Sequence, residues 1–261
     1  MSDVRARIDP DDLPEASLAD RPFALPEPVA HYLRDVRRLE PGAPVEVFDG
    51  TGRVLTGRLQ VVRDNDVRMA VFEDRLLERN ESPCKITLCQ AIPKGKRWRW
   101  VLEKTTELGV HRIRPMETDH TVVEITEEKE PRKLDRWRRI VGSAARQCER
   151  TRTPQIEPPA SMSAILDEAF DGLDIVLHAR EGSEPLADLA AGESDDTAAV
   201  RIWIGPEGGF SEDEARQMEE GGVRFGHLGP RILRTETAAI VGTSLIQNAL
   251  GDLRRRQSQP P

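Results

Sequence analysis

The sequence predicts two domains: a small β domain over residues 1–80 and an α/β domain with a parallel sheet over residues 81–261. Two observations lead to this division. The segment PVEVFDGTGRVLTGRLQVV (residues 44–62) alternates apolar and polar residues around a turn rich in Asp and Gly, which is typical of a β-hairpin. After residue 80, strand patterns alternate with helix patterns, and this alternation is typical of a parallel sheet with helical crossovers.

Three further segments complete the N-terminal part. LPEPVAHYLRDVRRL predicts a short helix, because Val29, Leu33 and Val36 recur with its period. DVRMAVFED predicts another strand, and several short strands in so small a segment favour a barrel. RNESP (79–83) is a plausible linker to the second domain.

The second domain alternates strands and helices to its end. RWRWVLEKTTELGV predicts an amphipathic helix that stops at Gly109, a residue suited to a helix C-terminus. The polar tail RRRQSQPP is expected to fray. The remaining predicted strands are CKITLCQAI, HRIRPMET, LDIVLHA, VRIWIG and VRFGHLG, and the remaining predicted helices are KLDRWRRIVGSAARQCER, EDEARQMEEG and residues 236–253.

Charge is distributed unevenly along the 261 residues. The net charge of −8 argues at first against a nucleic-acid partner, but residues 81–152 carry +6 whereas residues 1–80 carry −4 and residues 153–261 carry −10. A basic region in an acidic chain would orient a polyanion toward itself.

Neither a membrane span nor a signal peptide is predicted, because no apolar run reaches about 18 residues and the N-terminus lacks an apolar core. The three cysteines, Cys84, Cys89 and Cys148, show neither an even count nor a zinc spacing, so we expect reduced thiols in a cytoplasmic protein. The five histidines are scattered, and no metal is expected. Only His178 and His227 fall near the pocket predicted below.

Three predicted strands end in LHARE, IGPEGGF and LGPRILRTETAA, and ligands of open α/β sheets bind at such carboxyl ends. In IWIGPEGGFSEDE, three glycines allow close backbone approach, but no lysine follows, and Ser211 with Glu214 forms a capping box that takes up N–H donors. The acidic residues, Glu207 among them, repel phosphate. A neutral or cationic ligand such as S-adenosylmethionine fits better, and a tight turn without a ligand is the alternative.

In LGPRILRTETAA, Gly229-Pro230 forces a turn, and Ile232 and Leu233 could form the wall of an adenine pocket. A run of small residues then opens a helix, so another backbone could pack closely there. The alternative is an ordinary capped helix with Thr235 as the N-cap.

Together, IWIGPEGGFSEDE and LGPRILRTETAA resemble the RsmE family of 16S ribosomal RNA (uracil-N3)-methyltransferases of the SPOUT superfamily. PKGKRWRWVLEKTTELGVHRIRPMETDHTVV is similar to that family's segment KG…K.TELGV..I.P. HYLRDVRRLEPGAPVEVFDGTG resembles its PUA-like RNA-binding domain. The similarity covers about residues 22–253.

The resemblance implies a trefoil-knotted domain, a fold feature that is nearly absent elsewhere, with the cofactor bent against the knotted loops and a homodimer formed through the knot. It also implies methylation of uracil N3 in 16S rRNA, within the 30S subunit, with S-adenosylmethionine as donor. The cofactor-binding residues it implies are Leu177, His178, Ile204, Gly205, Pro206, Glu207, Gly208, Gly209, Leu228, Gly229, Ile232, Leu233, Arg234, Thr235, Thr237 and Ala238.

The basic region is a candidate RNA-binding surface, because cations bind phosphate and aromatic faces stack on bases. The candidates are Lys94, Lys96, Arg97, Arg99, Trp100, Gln147 and Arg150. Trp98 lies on the apolar stripe of its helix, which favours a core position. RRIVGSAARQCERTRTP resembles the family's A.EQ.GR...P, with Gln147, Arg150 and Pro154 matching. It departs from that pattern at Arg146, where glutamate is common, and at Glu149, where glycine is common, so no role is carried over to these two residues.

Methyl transfer to uracil N3 requires loss of the N3 proton, so the site needs a general base or groups that stabilise the uracil anion. Arg234 is the candidate for that anion or for a flanking phosphate. Glu207 or Glu236 could accept the proton if its pKa is raised in a dry cleft. For Glu207 the alternatives are attraction to the sulfonium or shaping of the loop. Two other functions stay open: a SPOUT methyltransferase acting on ribose or tRNA, and a non-catalytic RNA-binding protein.

Overall fold

A computed structural model describes residues 4–63, 66–123, 125–126, 128–193 and 199–253. The predicted frayed tail, residues 254–261, lies outside these ranges. The chain divides into two compact units, one within residues 1–81 and 142–153, the other within residues 82–141 and 154–261.

The first unit contains a five-stranded sheet. Strands β1 and β3 are parallel, and the other neighbouring pairs are antiparallel. The predicted hairpin is confirmed, since β3 and β4 pair with Val45 opposite Gly57. The strands, in the spatial order β1-β3-β4-β5-β2, are β1 (Val4–Arg7), β3 (Pro44–Phe48), β4 (Arg53–Arg63), β5 (Asp66–Leu76) and β2 (Pro22–Ala24).

The predicted N-terminal helix is α1 (Glu27–His31), which continues into a π-helical turn over Tyr32–Val36. Val29 and Leu33 are buried as the pattern predicts, but Val36 is 59% exposed. The π turn explains the difference, because its wider winding rotates Val36 away from the face that an α-helical period would give it.

Residues 142–153, which include the last turns of the long helix Glu130–Gln147, belong to the first unit. The Arg5 guanidinium donates to the carbonyl oxygens of Arg146 (3.3 Å) and Arg150 (3.0 Å), and its Nε donates to Glu46 at 2.6 Å. The Arg146 guanidinium lies over the Tyr32 ring at 4.2 Å. These contacts give Arg146 a packing role in this unit.

The second unit contains an eight-stranded parallel sheet, and the predicted alternation of strands and helices is confirmed. The order along the sheet is β11-β13-β10-β12-β6-β7-β8, with β9 paired to β7. The strands are β6 (Lys85–Ala91), β7 (Arg112–Glu117), β8 (Gln155–Ile156), β9 (Ala160–Ser161), β10 (Leu173–Leu177), β11 (Glu184–Pro185), β12 (Ala199–Ile204) and β13 (Arg224–His227).

Six α-helices that begin in this unit are described. Four of them match predicted helical segments, and two short helices were not predicted. The helix Arg97–Glu107 ends as expected before Gly109, whose φ is +81°. The helices are α2 (Arg97–Glu107), α3 (Glu130–Gln147), α4 (Met162–Leu166), α5 (Leu186–Ala191), α6 (Glu212–Glu220) and α7 (Thr235–Ala249).

The predicted core position of Trp98 is confirmed. It is 6% exposed, and its ring meets that of Trp137 edge to face, with centroids 5.3 Å apart and planes at 72°. Such aromatic pairs contribute beyond the area they bury. They join α2 to α3 over the sheet.

The register of three neighbouring strands places the site. β10 pairs with β12 so that Leu177 lies opposite Ile204, and β10 pairs with β13 so that Leu177 lies opposite Gly226. All three strands run in parallel, so their carboxyl ends, and the loops that follow them, meet at one edge of the sheet.

The end of α3 generates a stability prediction. Glu149 has φ +62°, and the Arg150 N–H donates to the Ala145 carbonyl at 3.0 Å. This is the hydrogen bond that closes a six-residue loop in a Schellman motif. The left-handed conformation costs an L-residue about 1–2 kcal/mol. Glu149→Gly should therefore raise the free energy of unfolding by about 0.5–1 kcal/mol, after the larger unfolded-state entropy of glycine is subtracted.

Chemical denaturation measures this change, with Glu149→Ala as the matched control. Alanine removes the same side chain but keeps the conformational cost, so no gain is expected from it. An equal gain in both variants would show that the Glu149 side chain, and not its backbone conformation, is the source of the strain.

Candidate active site

The three strand-end loops enclose one cavity of about 520 Å³. Its walls come from the ends of β10, β12 and β13 and from the start of α7. The lining residues are Leu177, His178, Ala179, Ile204, Gly205, Pro206, Glu207, Gly208, Gly209, Phe210, Gly226, His227, Leu228, Gly229, Pro230, Arg231, Ile232, Leu233, Arg234, Thr235 and Ala238.

The loop after β12 is shaped by its glycines and closed by a capped helix. Gly209 has φ +73°, a conformation that favours glycine. The predicted capping box is confirmed: the Ser211 hydroxyl accepts from the Glu214 N–H, and the Glu214 carboxylate accepts from the Ser211 N–H. The box takes up the N–H groups of Ser211 and Glu214, and the acidic first turn of Glu212, Asp213 and Glu214 repels a phosphate at the start of α6.

A buried hydrogen-bond chain ties this loop to α7. The Thr235 hydroxyl donates to the Gly205 carbonyl (2.7 Å) and accepts from Gln90 Nε2 (2.8 Å). Gln90 lies at the end of β6, is fully buried, and also donates to the Ala91 carbonyl at 2.9 Å. These hydrogen bonds therefore fix the distance between Gly205, the first residue of the loop after β12, and the start of α7.

Thr235 is not the N-cap of α7, so the alternative interpretation of this stretch as an ordinary capped helix is wrong. Arg234 occupies the cap position, with extended backbone angles and no side-chain cap bond, and Thr235 is the first helical residue. The Thr235 hydroxyl points to the neighbouring loop and not to its own helix.

Arg97 links the two candidate carboxylates. Its guanidinium bonds Glu207, and its Nε lies 3.7 Å from Glu236 Oε1. Burial opposes ionisation of Glu207, but hydrogen bonds from backbone N–H groups at Glu207 and Lys94, together with Arg97, outweigh it, so the pKa of Glu207 lies below its usual value. The raised pKa that a carboxylate base needs is therefore not found at Glu207.

Two histidines line the cavity, as expected from the sequence. His178 lies edge to face with Phe210 and Phe225, and burial together with the charge of Arg180 lowers its pKa, so it is neutral near pH 7. His227 Nδ1 accepts the Gly229 N–H at 3.1 Å, so in the neutral ring the proton resides on Nε2.

A third histidine, which the sequence did not place near the site, packs on the same loop. His120 Nδ1 lies 3.1 Å from the Gly208 carbonyl oxygen and 3.2 Å from that of Gly209. It lines a second cavity of about 820 Å³, formed by Lys94, Arg97, Asp119, His120, Thr121, Val122, Glu207 and Gly208. Glu207 and Gly208 belong to both cavities.

The structure thus brings almost all the predicted cofactor residues to one cavity. Of the predicted cofactor residues only Thr237 does not line it, and the candidate catalytic residue Glu236 does not line it either. Ala179, Phe210, Gly226, Pro230 and Arg231 line it without having been predicted. Gln90 was also missed, since a lone glutamine at the end of a strand carries no sequence signal.

The predicted RNA-binding residues fall into two groups. Lys94, Lys96 and Arg99 are exposed on the second unit, where Trp100 is 57% exposed. Gln147 and Arg150 belong to the first unit, where Gln147 is exposed.

Arg150 is 3% exposed, and its Nη2 donates to Glu81 at 2.8 Å. A guanidinium enclosed in this way cannot reach a phosphate, so the structure assigns Arg150 to the packing of the first unit instead of to RNA.

The described residues contain no group of three or more His, Cys, Asp or Glu side chains that could hold a metal ion. Among the described residues, Cys84, Cys89 and Cys148 take part in no disulfide, and burial raises the pKa of Cys84 to about 11. Within the same described ranges, no helix has the length and apolarity that a membrane crossing demands.

Comparison with known proteins identifies the family. A family model described as an RNA methyltransferase domain matches residues 80–247. The chain is 31% identical over 230 residues to ribosomal RNA small subunit methyltransferase E of Bacillus subtilis (strain 168), covering 86% of this chain and 89% of that protein. The chain belongs to the ribosomal RNA small subunit methyltransferase E family.

Solved structures support the family assignment. The structure of a ribosomal RNA small subunit methyltransferase E from Neisseria gonorrhoeae, bound to S-adenosyl methionine, matches with a TM-score of 0.85 at 28% identity. The match covers 97% of this chain and 100% of that chain. A Legionella pneumophila protein in complex with the bound cofactor SAM gives a TM-score of 0.86 at 33% identity, with the same coverage.

The Thr235 hydrogen bonds generate a prediction. Thr235→Val keeps the shape but removes the bond to Gly205 and leaves Gln90 with one partner fewer in a buried place. We expect the free energy of unfolding to fall by about 1–3 kcal/mol, the cost of an unsatisfied buried polar group.

Thr237→Val is the matched control, because it lies two residues away on α7 and its hydroxyl has no hydrogen-bond partner among the described residues. Chemical denaturation of both variants gives the comparison. Equal losses in the two variants would mean that the hydrogen-bond chain does not stabilise the site.

Proposed function

We propose that this chain methylates N3 of a specific uridine in 16S rRNA, with S-adenosylmethionine as the methyl donor. The observation that carries the proposal is the cavity at the ends of β10, β12 and β13, whose mostly apolar lining suits a ligand that carries no phosphate. Relatives of the chain include proteins solved with this cofactor. Family membership supports small-subunit rRNA as the substrate.

The lining of the cavity fits S-adenosylmethionine. A volume of about 520 Å³ is in the range of small-molecule sites. Leu177, Ile204, Leu228, Leu233 and Ala238 would pack on the adenine. Backbone groups of the two loops would supply its hydrogen bonds, and when bound, the cofactor supplies the methyl group.

Each candidate catalytic residue receives a role from its surroundings. Arg234 is exposed at the cavity and has no partner among the described side chains, so its guanidinium is available to the developing uracil anion or to a flanking phosphate. Glu207 is ionised and paired with Arg97, which supports a part in shaping the loop. Glu236, 13% exposed, would hold Arg97 in place.

The RNA-facing surface would be the start of α2. Lys94, Lys96, Arg97 and Arg99 supply positive charge there, and Trp100 offers an exposed ring on which a base could stack. Gln147 is retained as a contact from the first unit. Residues 1–80, a PUA-like barrel in this proposal, would add RNA contacts, with the 30S subunit as the substrate.

The family resemblance also supports a trefoil knot, a homodimer and a cytoplasmic location. The neighbouring loops 204–209 and 228–234 are the segments in which the knot would form. Ile232 is fully exposed beside the cavity, so a partner chain would cover an apolar surface there. Cysteines that form no disulfide among the described residues agree with a reducing compartment.

Mass spectrometry of 16S rRNA nucleosides from a deletion strain tests the proposal. We expect 3-methyluridine to disappear and to return when the wild-type chain is expressed. Its persistence would contradict the assignment. Loss of a 2′-O-methylated or tRNA nucleoside instead would indicate a different RNA target.

Arg234→Ala should lower kcat by about 10²–10³-fold while cofactor affinity stays within about twofold, because an anion-stabilising group acts in the transition state. The control is Arg216→Ala, an exposed arginine of α6 that lines neither cavity. Methylation kinetics and calorimetric titration measure the two effects. Normal turnover in Arg234→Ala would remove Arg234 from the chemistry.

Trp100→Ala should weaken binding of the 30S substrate by about 1–3 kcal/mol, the contribution of one base stacked on an aromatic ring. The thermal midpoint should hardly change, because the ring is already 57% exposed. Trp98→Ala is the contrasting variant and should destabilise the fold by about 3–5 kcal/mol. Unchanged substrate binding in Trp100→Ala would show that the ring does not contact RNA.

A further inference from the structure

The second cavity adjoins the cofactor cavity and has a different chemistry. The two share Glu207 and Gly208, so a ligand in one lies beside the same short loop as a ligand in the other. The first cavity has a mostly apolar lining, to which Arg231 and Arg234 also belong, whereas the second is lined by Lys94 and Arg97 together with Asp119 and Glu207. It therefore suits a polar ligand that develops negative charge.

His120 in this cavity is held in one tautomer. A carbonyl oxygen can only accept a hydrogen bond, so Nδ1, at 3.1 Å from Gly208 O and 3.2 Å from Gly209 O, must carry a proton. In the neutral ring, Nε2 then has a free lone pair. The side chain is exposed to the cavity, so this nitrogen is open to a ligand.

The other titratable groups near the loop are less suited to accept a proton. His227 presents Nε2–H, because its Nδ1 already accepts from Gly229. His178 lines only the cofactor cavity. Glu207 has a lowered pKa, and Asp119 accepts the Ser211 hydroxyl at 2.6 Å.

We propose that the second cavity receives the target uracil and that His120 Nε2 is the general base that removes its N3 proton. The inference rests on the methyltransferase function proposed above and names the residue that the sequence left open. Both cavities must be occupied at once for the reaction, and Glu207 and Gly208 are the residues at which they meet.

The reaction balances with groups at hand. The N3–H bond breaks and its proton moves to His120 Nε2. The N3 electron pair forms the bond to the methyl carbon, the carbon–sulfur bond breaks, and its electron pair stays on sulfur. The positive charge of the sulfonium is thereby replaced by that of the imidazolium.

Two cations of the second cavity can stabilise the intermediate charge, in addition to Arg234, which lines the adjoining cavity. Deprotonated uracil spreads its charge over N3, O2 and O4, and Lys94 and Arg97 line the same cavity as His120. Lys94 has no ion-pair or hydrogen-bond partner for its side chain among the described residues, so it is available to a carbonyl oxygen of uracil. Donors placed where charge develops lower the barrier.

Kinetics of His120→Asn provide the main test. The asparagine amide can still donate to the Gly208 carbonyl, so the loop keeps its contact, but no base remains. We expect kcat to fall by about 10²-fold or more, with cofactor affinity and the KM for 30S subunits unchanged. Free imidazole should restore turnover of His120→Ala.

Normal kcat in His120→Asn would overturn the proposal, as would a raised KM alone, which would make the cavity an RNA-contact site. Loss of turnover in His120→Ala without imidazole rescue would also overturn it. The wild-type protein assayed in parallel separates the two levels: if it fails to methylate 30S subunits, the proposed function fails, and not the role of His120 alone.

A second measurement does not depend on activity. Nitrogen-15 NMR of the wild-type imidazoles, with His120→Asn used for assignment, reports which ring nitrogen carries the proton. The proposal requires protonated Nδ1 and unprotonated Nε2 in the neutral ring of His120. The opposite tautomer would exclude the base.

Discussion

The hydrogen-bond chain from Gln90 through Thr235 to Gly205 is the constraint on which the site depends. It joins the end of β6, the start of α7 and the loop after β12, three segments distant in sequence. All its members are buried, so water cannot replace a missing partner, and each group must hold its place. With that distance fixed, the loops after β12 and β13 face each other across a cavity and do not collapse.

The loop after β12 separates two cavities whose linings differ in polarity. On one side, apolar strand ends and loop backbone line most of the cofactor cavity, to which Arg231 and Arg234 also belong. On the other side, Arg97 holds Glu207 and approaches Glu236, and Lys94 lies next to it. The donor is matched by the apolar strand ends, the acceptor that becomes an anion is matched by Lys94 and Arg97, and one loop separates the two.

Much of this arrangement could be predicted, because it follows from local rules. The alternation of elements, the capping box at Ser211 and the convergence of three strand ends follow from periodicity and from parallel topology. Three features depended on tertiary packing instead: the π turn that exposes Val36, the burial of Arg150 against Glu81, and the approach of His120 to Gly208 from the loop after β7. No spacing in the sequence encodes such contacts.

The central claim is that the cavity between residues 204–209 and 228–235 holds the methyl donor. A crystal structure of the chain with S-adenosylhomocysteine tests it most directly. The account predicts the adenine against Leu177, Ile204 and Leu233, with the sulfur directed toward the loop at Glu207 and Gly208. Density for the ligand at any other place, or an unfilled cavity at saturating ligand, would contradict it.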